Sequence, residues 1–235
     1  MKEILEKVRS ELLAASDIKA REAGERYFRE EVKLYGIKAK QVREIARDNF
    51  MAVRKLDKAQ IMDLCEMLWQ SGMIEESIVA CLWTEKLTRQ FTPADFETLQ
   101  RWIFRYVSNW ASCDTLCNHT VGDFIQMYPA YLTELRKWAR SGNRWVRRAS
   151  AVTLIVPARR GKFLDDIFEI AGILLEDKDD MVQKGYGWML KAASEAHQQE
   201  VFEFVMRHKA CMPRTALRYA IEKMPADLRS EAMAR

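Results

Sequence analysis

Trp110 and Asp114 stand four residues apart in Ser108-Asn109-Trp110-Ala111-Ser112-Cys113-Asp114. On a helix this spacing sets an indole and a carboxylate on one face, about 40° apart. Aimed at one point, the two groups can stabilise a developing positive charge. Read alone, the pair also fits a core tryptophan with Asp114 exposed or capping the next turn. Trp188, one turn after Lys184, could likewise face a ligand or pack in a core. Tyr27, in Glu25-Arg26-Tyr27-Phe28, could reach a phosphate with its hydroxyl or pack with its ring.

A second chemistry lies in the charge distribution. Between Arg136 and Lys162 stand nine basic residues (Arg136, Lys137, Arg140, Arg144, Arg147, Arg148, Arg159, Arg160 and Lys162) and no Asp or Glu. Of 38 basic residues in all, 29 remain outside this window against 34 acidic ones, so the net charge of +4 comes from one place. Concentrated positive charge attracts a polyanion by counterion release, and Trp138 and Trp145 beside it could pack on sugars or bases. A solvated helix face is the plainer reading of a basic run, but such faces usually mix signs at i,i+4.

The elements that must carry these residues read as helices. Apolar residues recur at helical spacing, as in Ile4, Val8 and Leu12 or Ile61, Leu64, Cys65 and Leu68. Stop and start signals divide the chain into about a dozen helices; they include Gly36, Asp57, Thr92-Pro93 as N-cap and N1, Ser141-Gly142-Asn143 and Asp177 to Asp180. Nine Gly and five Pro are too few for many short strands. No Pro/Gly/Ser-rich linker divides the chain, so residues 1–235 are expected to form a single domain. Trp145-Val146-Arg147-Arg148-Ala149 aligns with Met181-Val182-Gln183-Lys184-Gly185 at an offset of 36, and Ser77-Ile78-Val79-Ala80 is a fainter copy. Helical pairs at this period predict an all-α, HEAT-like helical-repeat solenoid, an α-α superhelix whose basic concave face a duplex could occupy.

Other classes fit less well. No apolar run approaches the roughly 20 residues of a membrane span, and Met1-Lys2-Glu3 opens a charged helix, so a cytoplasmic protein with no membrane association is expected. Five scattered cysteines suit reduced thiols. Cys113, Cys117 and His119 lack a second ligand pair at finger spacing, so neither a metal nor another cofactor is expected.

Four ordered blocks carry a family resemblance: RYFREEVKLYGIKAKQVREIARD (26–48), SNWASCDTLCNHTVGDFI (108–125), NRWVRRASAVTLI (143–155) and MVQKGYGWMLK (181–191). With their separations they resemble the AlkD-type alkylpurine DNA glycosylases over roughly residues 20–225. The resemblance implies a HEAT-like fold around duplex DNA and excision of N3- or N7-alkylated purines, with the lesion left in or near the stack. It implies that Asp114 is the catalytic aspartate, that Trp110 and Trp188 contact the sugar, and that Arg148 and Tyr27 contact DNA. Arg144, Arg147, Lys184, Arg159 and Arg160 are expected to hold phosphates beside them. Ala111 departs from the family, whose members commonly carry Asp there.

The function expected is therefore a DNA glycosylase whose oxocarbenium-like transition state is stabilised by Asp114 with Trp110 and Trp188. Its partner would be double-stranded DNA containing alkylated purines, met by a monomer. The alternatives are a non-catalytic HEAT-type DNA-binding protein for damaged or branched DNA, and a solenoid that binds an acidic protein. Asp114 is the residue on which the first two part.

Overall fold

A computed structural model describes residues 1–234. Among them the regular structure is helical, apart from one isolated parallel bridge between Lys33 and Met73. The chain divides into two compact units, one of residues 1–116 and one beginning at Cys117.

The first unit contains α1 (Lys2–Ala14), α2 (Ile18–Tyr27), α3 (Ala39–Val53), α4 (Lys58–Gln70), α5 (Ile74–Glu85), α6 (Asp95–Arg105) and α7 (Trp110–Thr115). The apolar faces of α1, α3, α5 and α7 pack in succession, and α4 lies antiparallel to α5 across Leu64, Cys65, Leu68, Val79 and Ala80. The indole N–H of Trp83 crosses from α5 to donate to the Ala46 carbonyl on α3 (2.8 Å), satisfying a buried polar group between neighbouring helices. Asp57 closes the capping box with Gln60 that its type and position predict for α4. At Thr92-Pro93, in contrast, the helix begins later than predicted. The Asp95 carboxylate reaches back to the Thr92 amide and hydroxyl and to Lys58, holding Thr92 and Pro93 in the turn before α6.

One loop of this unit is clamped by buried carboxylates. Glu75 accepts the amide N–H groups of Tyr35 (3.0 Å), Gly36 (2.9 Å) and Ile37 (3.2 Å). Its neighbour Glu76 accepts from Arg9 Nε (3.0 Å) and the Tyr35 hydroxyl (2.8 Å). Burial together with that bond to Glu76 pushes the Tyr35 phenol up to about 12, so it remains a donor. Gly36 takes φ 83°, and a Cβ there would lie 2.4 Å from Asp17 O and Arg21 N of the α2 N-terminus. Only glycine permits both the backbone turn and this approach. Gly36, expected as one of the signals that divide the helices, lies between α2 and α3 and also serves as a docking point for α2.

The second unit contains α8 (Gly122–Met127), α9 (Leu132–Trp138), α10 (Arg144–Val152), α11 (Ile155–Arg159), α12 (Leu164–Ile173), α13 (Asp180–Ala193), α14 (Gln198–His208), α15 (Arg214–Ile221) and α16 (Ala226–Met233). Here α10, α13 and α15 form one row, and α9 and α12 lie in a second row behind it. Phe168 of α12 stacks on Phe204 of α14 at 4.8 Å, extending that second row. Paired helices stacked in two rows are the helical-repeat architecture the periodicity predicts. The 36-residue offset recurs in the caps: Asn143 accepts from the Trp145 amide at the start of α10, and Asp179 accepts from Met181 and Val182 at the start of α13. The helices outnumber those predicted because two are interrupted. A turn at Thr153-Leu154 separates α10 from α11, and a π-helical turn, Leu116–Val121, separates α7 from α8. No helix among the described residues is long and apolar enough to cross a membrane.

Candidate functional site

Trp110 is the first residue of α7, and Asp114 follows one helical turn later, as the spacing predicts. Asn109 caps this helix: its side chain accepts from the Ser112 amide at 2.9 Å. The Ser112 hydroxyl in turn meets the Ser77 hydroxyl of α5 at 2.7 Å, in a buried contact that braces the turn. An acid at position 111 is therefore not needed to cap α7; Asn109 and Ser112 hold it with alanine there.

The Trp110 ring has two aromatic neighbours. Phe28 stacks on it (centroids 5.5 Å, planes 25° apart), and Tyr27 meets it edge-on (6.0 Å, 70°). Tyr27 is 71% exposed, so the cluster presents an aromatic edge to solvent while Trp110 and Asp114 are half-buried. Of the two roles open to Tyr27, the ring does pack, against Trp110. Phe28 carries no signal in the sequence beyond its position directly after Tyr27. Beside the Asn109 cap lies a pocket of about 190 Å³, lined in part by Glu31, Lys33, Ile74 and Ser108.

In the second unit, Arg148 lies across the start of α13. Its guanidinium donates to the Met181 carbonyl, and its stem packs on Gly185, where a Cβ would stand 3.3 Å from Arg148 Cγ. The residue is only 4% exposed. Gly185 thus serves as the flat surface over which a long cationic side chain can lie. Trp188 is half-buried on α13, and Lys184, one turn before it, pairs with Asp180 at 2.7 Å. Gly187 lets α13 approach α15, with a would-be Cβ 2.8 Å from the Ala216 carbonyl oxygen.

The acid-free window is not free of acids in space. Arg136 pairs with Asp166 and with Glu169 (2.5 Å), Arg144 with Asp179 (2.8 Å), Arg147 with Asp177 (2.6 Å), and Arg159 with Glu195 (3.3 Å). Lys137 pairs with Glu134, just outside the window. Arg144 also lies over the Trp145 ring, 4.8 Å from its centroid. Apart from Glu134, these carboxylates come from about 30 to 36 residues downstream, one repeat along the chain. Arg160 and Lys162 instead share the neutral side-chain oxygen of Gln126, at 3.3 Å each. Cys113 and Cys117 are buried and His119 is exposed, and no group of three or more His, Cys, Asp or Glu residues suited to a metal occurs among the described residues.

Comparison with known proteins identifies the architecture. The solved structure of a predicted DNA alkylation repair enzyme from Enterococcus faecalis superposes with a TM-score of 0.80, covering 90% of this chain and 97% of its own, at 15% sequence identity. At that identity the likeness speaks for the fold. No curated protein matches the chain. A family model described as DNA alkylation repair enzyme matches residues 8–224, a span that contains every candidate residue described above. By that match the chain belongs to the DNA alkylation repair enzyme family, with a role in alkylation repair and DNA as its partner.

Proposed function

We propose that the protein is a DNA glycosylase that excises N3- or N7-alkylated purines from duplex DNA. The observation that carries this reading is the half-buried Trp110 and Asp114 on one turn of α7, with Phe28 and Tyr27 walling the indole. A rigid indole beside a carboxylate suits a reaction in which a sugar becomes cationic.

Alkylation at N3 or N7 gives the purine a positive charge and makes it a good leaving group, so no strong general acid is needed at the base. As the bond from C1′ to the purine nitrogen breaks, its electron pair neutralises the purine and positive charge develops on the deoxyribose. The Asp114 carboxylate stabilises that charge, and the Trp110 face adds cation–π attraction of about 0.5–2 kcal/mol. The family resemblance gives Trp188 the same role. Water, oriented by Asp114, then bonds to C1′ and gives up its proton to solvent. Tyr27, Arg148, Arg144, Arg147, Lys184, Arg159 and Arg160 are assigned to the backbone of the duplex, contacts that set register without reading sequence. In this reading residues 1–235 work as one repeat domain and as a monomer.

The test is release of free 7-methylguanine from a duplex that contains it, measured by mass spectrometry in buffer with EDTA. The wild type is expected to release the base and Asp114→Asn to release at least a hundredfold less, on the order of an electrostatic stabiliser's contribution, while binding duplex as before. If neither protein releases base and both bind the duplex, the alternative stands: a non-catalytic HEAT-type DNA-binding protein for damaged or branched DNA.

A further inference from the structure

Helix α11 ends in Arg159-Arg160-Gly161-Lys162-Phe163, a turn whose backbone is fixed. Gly161 takes φ 72° and donates to the Ala158 carbonyl (2.9 Å), and the Lys162 amide donates to the Pro157 carbonyl (3.1 Å). Phe163 follows at φ 62°, a left-handed conformation rarely adopted by a bulky residue, and opens α12. Lys162 is thus held between two left-handed residues rather than carried on a loose loop.

Gln126 is brought to this turn by close helix packing. A Cβ on Gly122 would lie 2.8 Å from the Thr153 carbonyl oxygen, so only glycine lets α8 lie this tightly against the junction of α10 and α11. One turn on, the Gln126 amide nitrogen donates to Gly122 O (3.4 Å) and Asp123 Oδ1 (3.3 Å), which turns its oxygen toward Arg160 Nη1 and Lys162 Nζ. Both cations are exposed. Arg159 next to them is paired with Glu195, whereas no ion pair to a carboxylate is formed by Arg160 or Lys162 among the described residues. Two positive heads converge on one uncharged oxygen, an arrangement that an anionic oxygen would improve.

We propose that Arg160, Lys162 and Gln126 form a binding site for a backbone phosphodiester, and that this turn is where the basic window grips DNA. The inference rests on the reading of the protein as one that holds duplex DNA, and it assigns Lys162 and Gln126 a part in that grip. An arginine fork and a lysine point charge can each take one oxygen of a single phosphate, with the Gln126 side chain turning its N–H outward.

The experiment measures fluorescence anisotropy of an undamaged duplex at several salt concentrations. Each phosphate contact contributes about −0.9 to the slope of log affinity against log salt. Arg160→Gln with Lys162→Gln should flatten the slope by about 1 and weaken binding roughly tenfold or more at low salt. Gln126→Glu should act the same way by placing a carboxylate between the cations, without removing either. Wild-type slopes in both the double variant and Gln126→Glu, with duplex still bound, would overturn the site and leave the glycosylase reading intact. A wild-type protein that binds no duplex would overturn both.

Discussion

Arg148 shows how far burial can change what a residue means. Its sequence context, a basic window next to a tryptophan, suggests an arm reaching for phosphate, yet the side chain is covered and bonded to the Met181 carbonyl. Arg148→Ala should therefore destabilise the protein by about 2–4 kcal/mol, from lost stem packing and an uncapped carbonyl, whatever it does to DNA binding. Arg148→Met, which keeps the stem, should lose roughly half as much. Urea denaturation compares the two, and a wild-type midpoint for Arg148→Ala would show that this packing contributes nothing. The pair Trp110 and Asp114 was legible because helical spacing alone sets residues four apart on one face. Phe28 was not, because no local rule brings the end of α2 to the start of α7; tertiary packing does. Asn109 precedes a helical start as an N-cap should, so the signal for this cap is present in the sequence.

At the scale of elements, α2 depends on its neighbours. None of its own residues is buried; it is held by Gly36 against its first turn, by Leu34 against Gly24, and by Phe28 on Trp110. The first two contacts come from the loop that Glu75 clamps and the residue before it. Glu75→Ala leaves three consecutive amide donors without their acceptor, at a cost of about 1–3 kcal/mol. Hydrogen exchange should then lose protection at Tyr35, Gly36 and Ile37 before it does in α4 and α5. Unchanged protection at those three amides would show that the carboxylate is not what holds the loop. The caps of α4 and α13 were legible as Asp57 and the Asp177 to Asp180 turn, since capping is a local interaction. The start of α6 was misplaced for the same reason reversed: Asp95, bonded to Lys58 on another helix, competes with the local cap at Thr92.

At the scale of the molecule, the 36-residue repeat was readable and its electrostatic consequence was not. Repeats stack, so an arginine finds its acid on the next repeat instead of at i,i+4, and a window that looks purely basic in sequence is largely neutralised in space. In the proposed reading, a duplex arriving at these arginines meets side chains that already have counterions of their own. For each such arginine, the gain on binding is the difference between a phosphate and an aspartate, with the aspartate left to find water or another cation. Asp179→Asn probes the effect, because asparagine still caps α13 while one carboxylate charge is removed from beside Arg144. Duplex affinity should rise severalfold and the salt slope should steepen by about one; no change in either would mean that Arg144 takes no part in DNA binding. In the proposed reading, the acids of one repeat restrain the grip of the one before it, each carboxylate competing with a backbone phosphate for the same guanidinium.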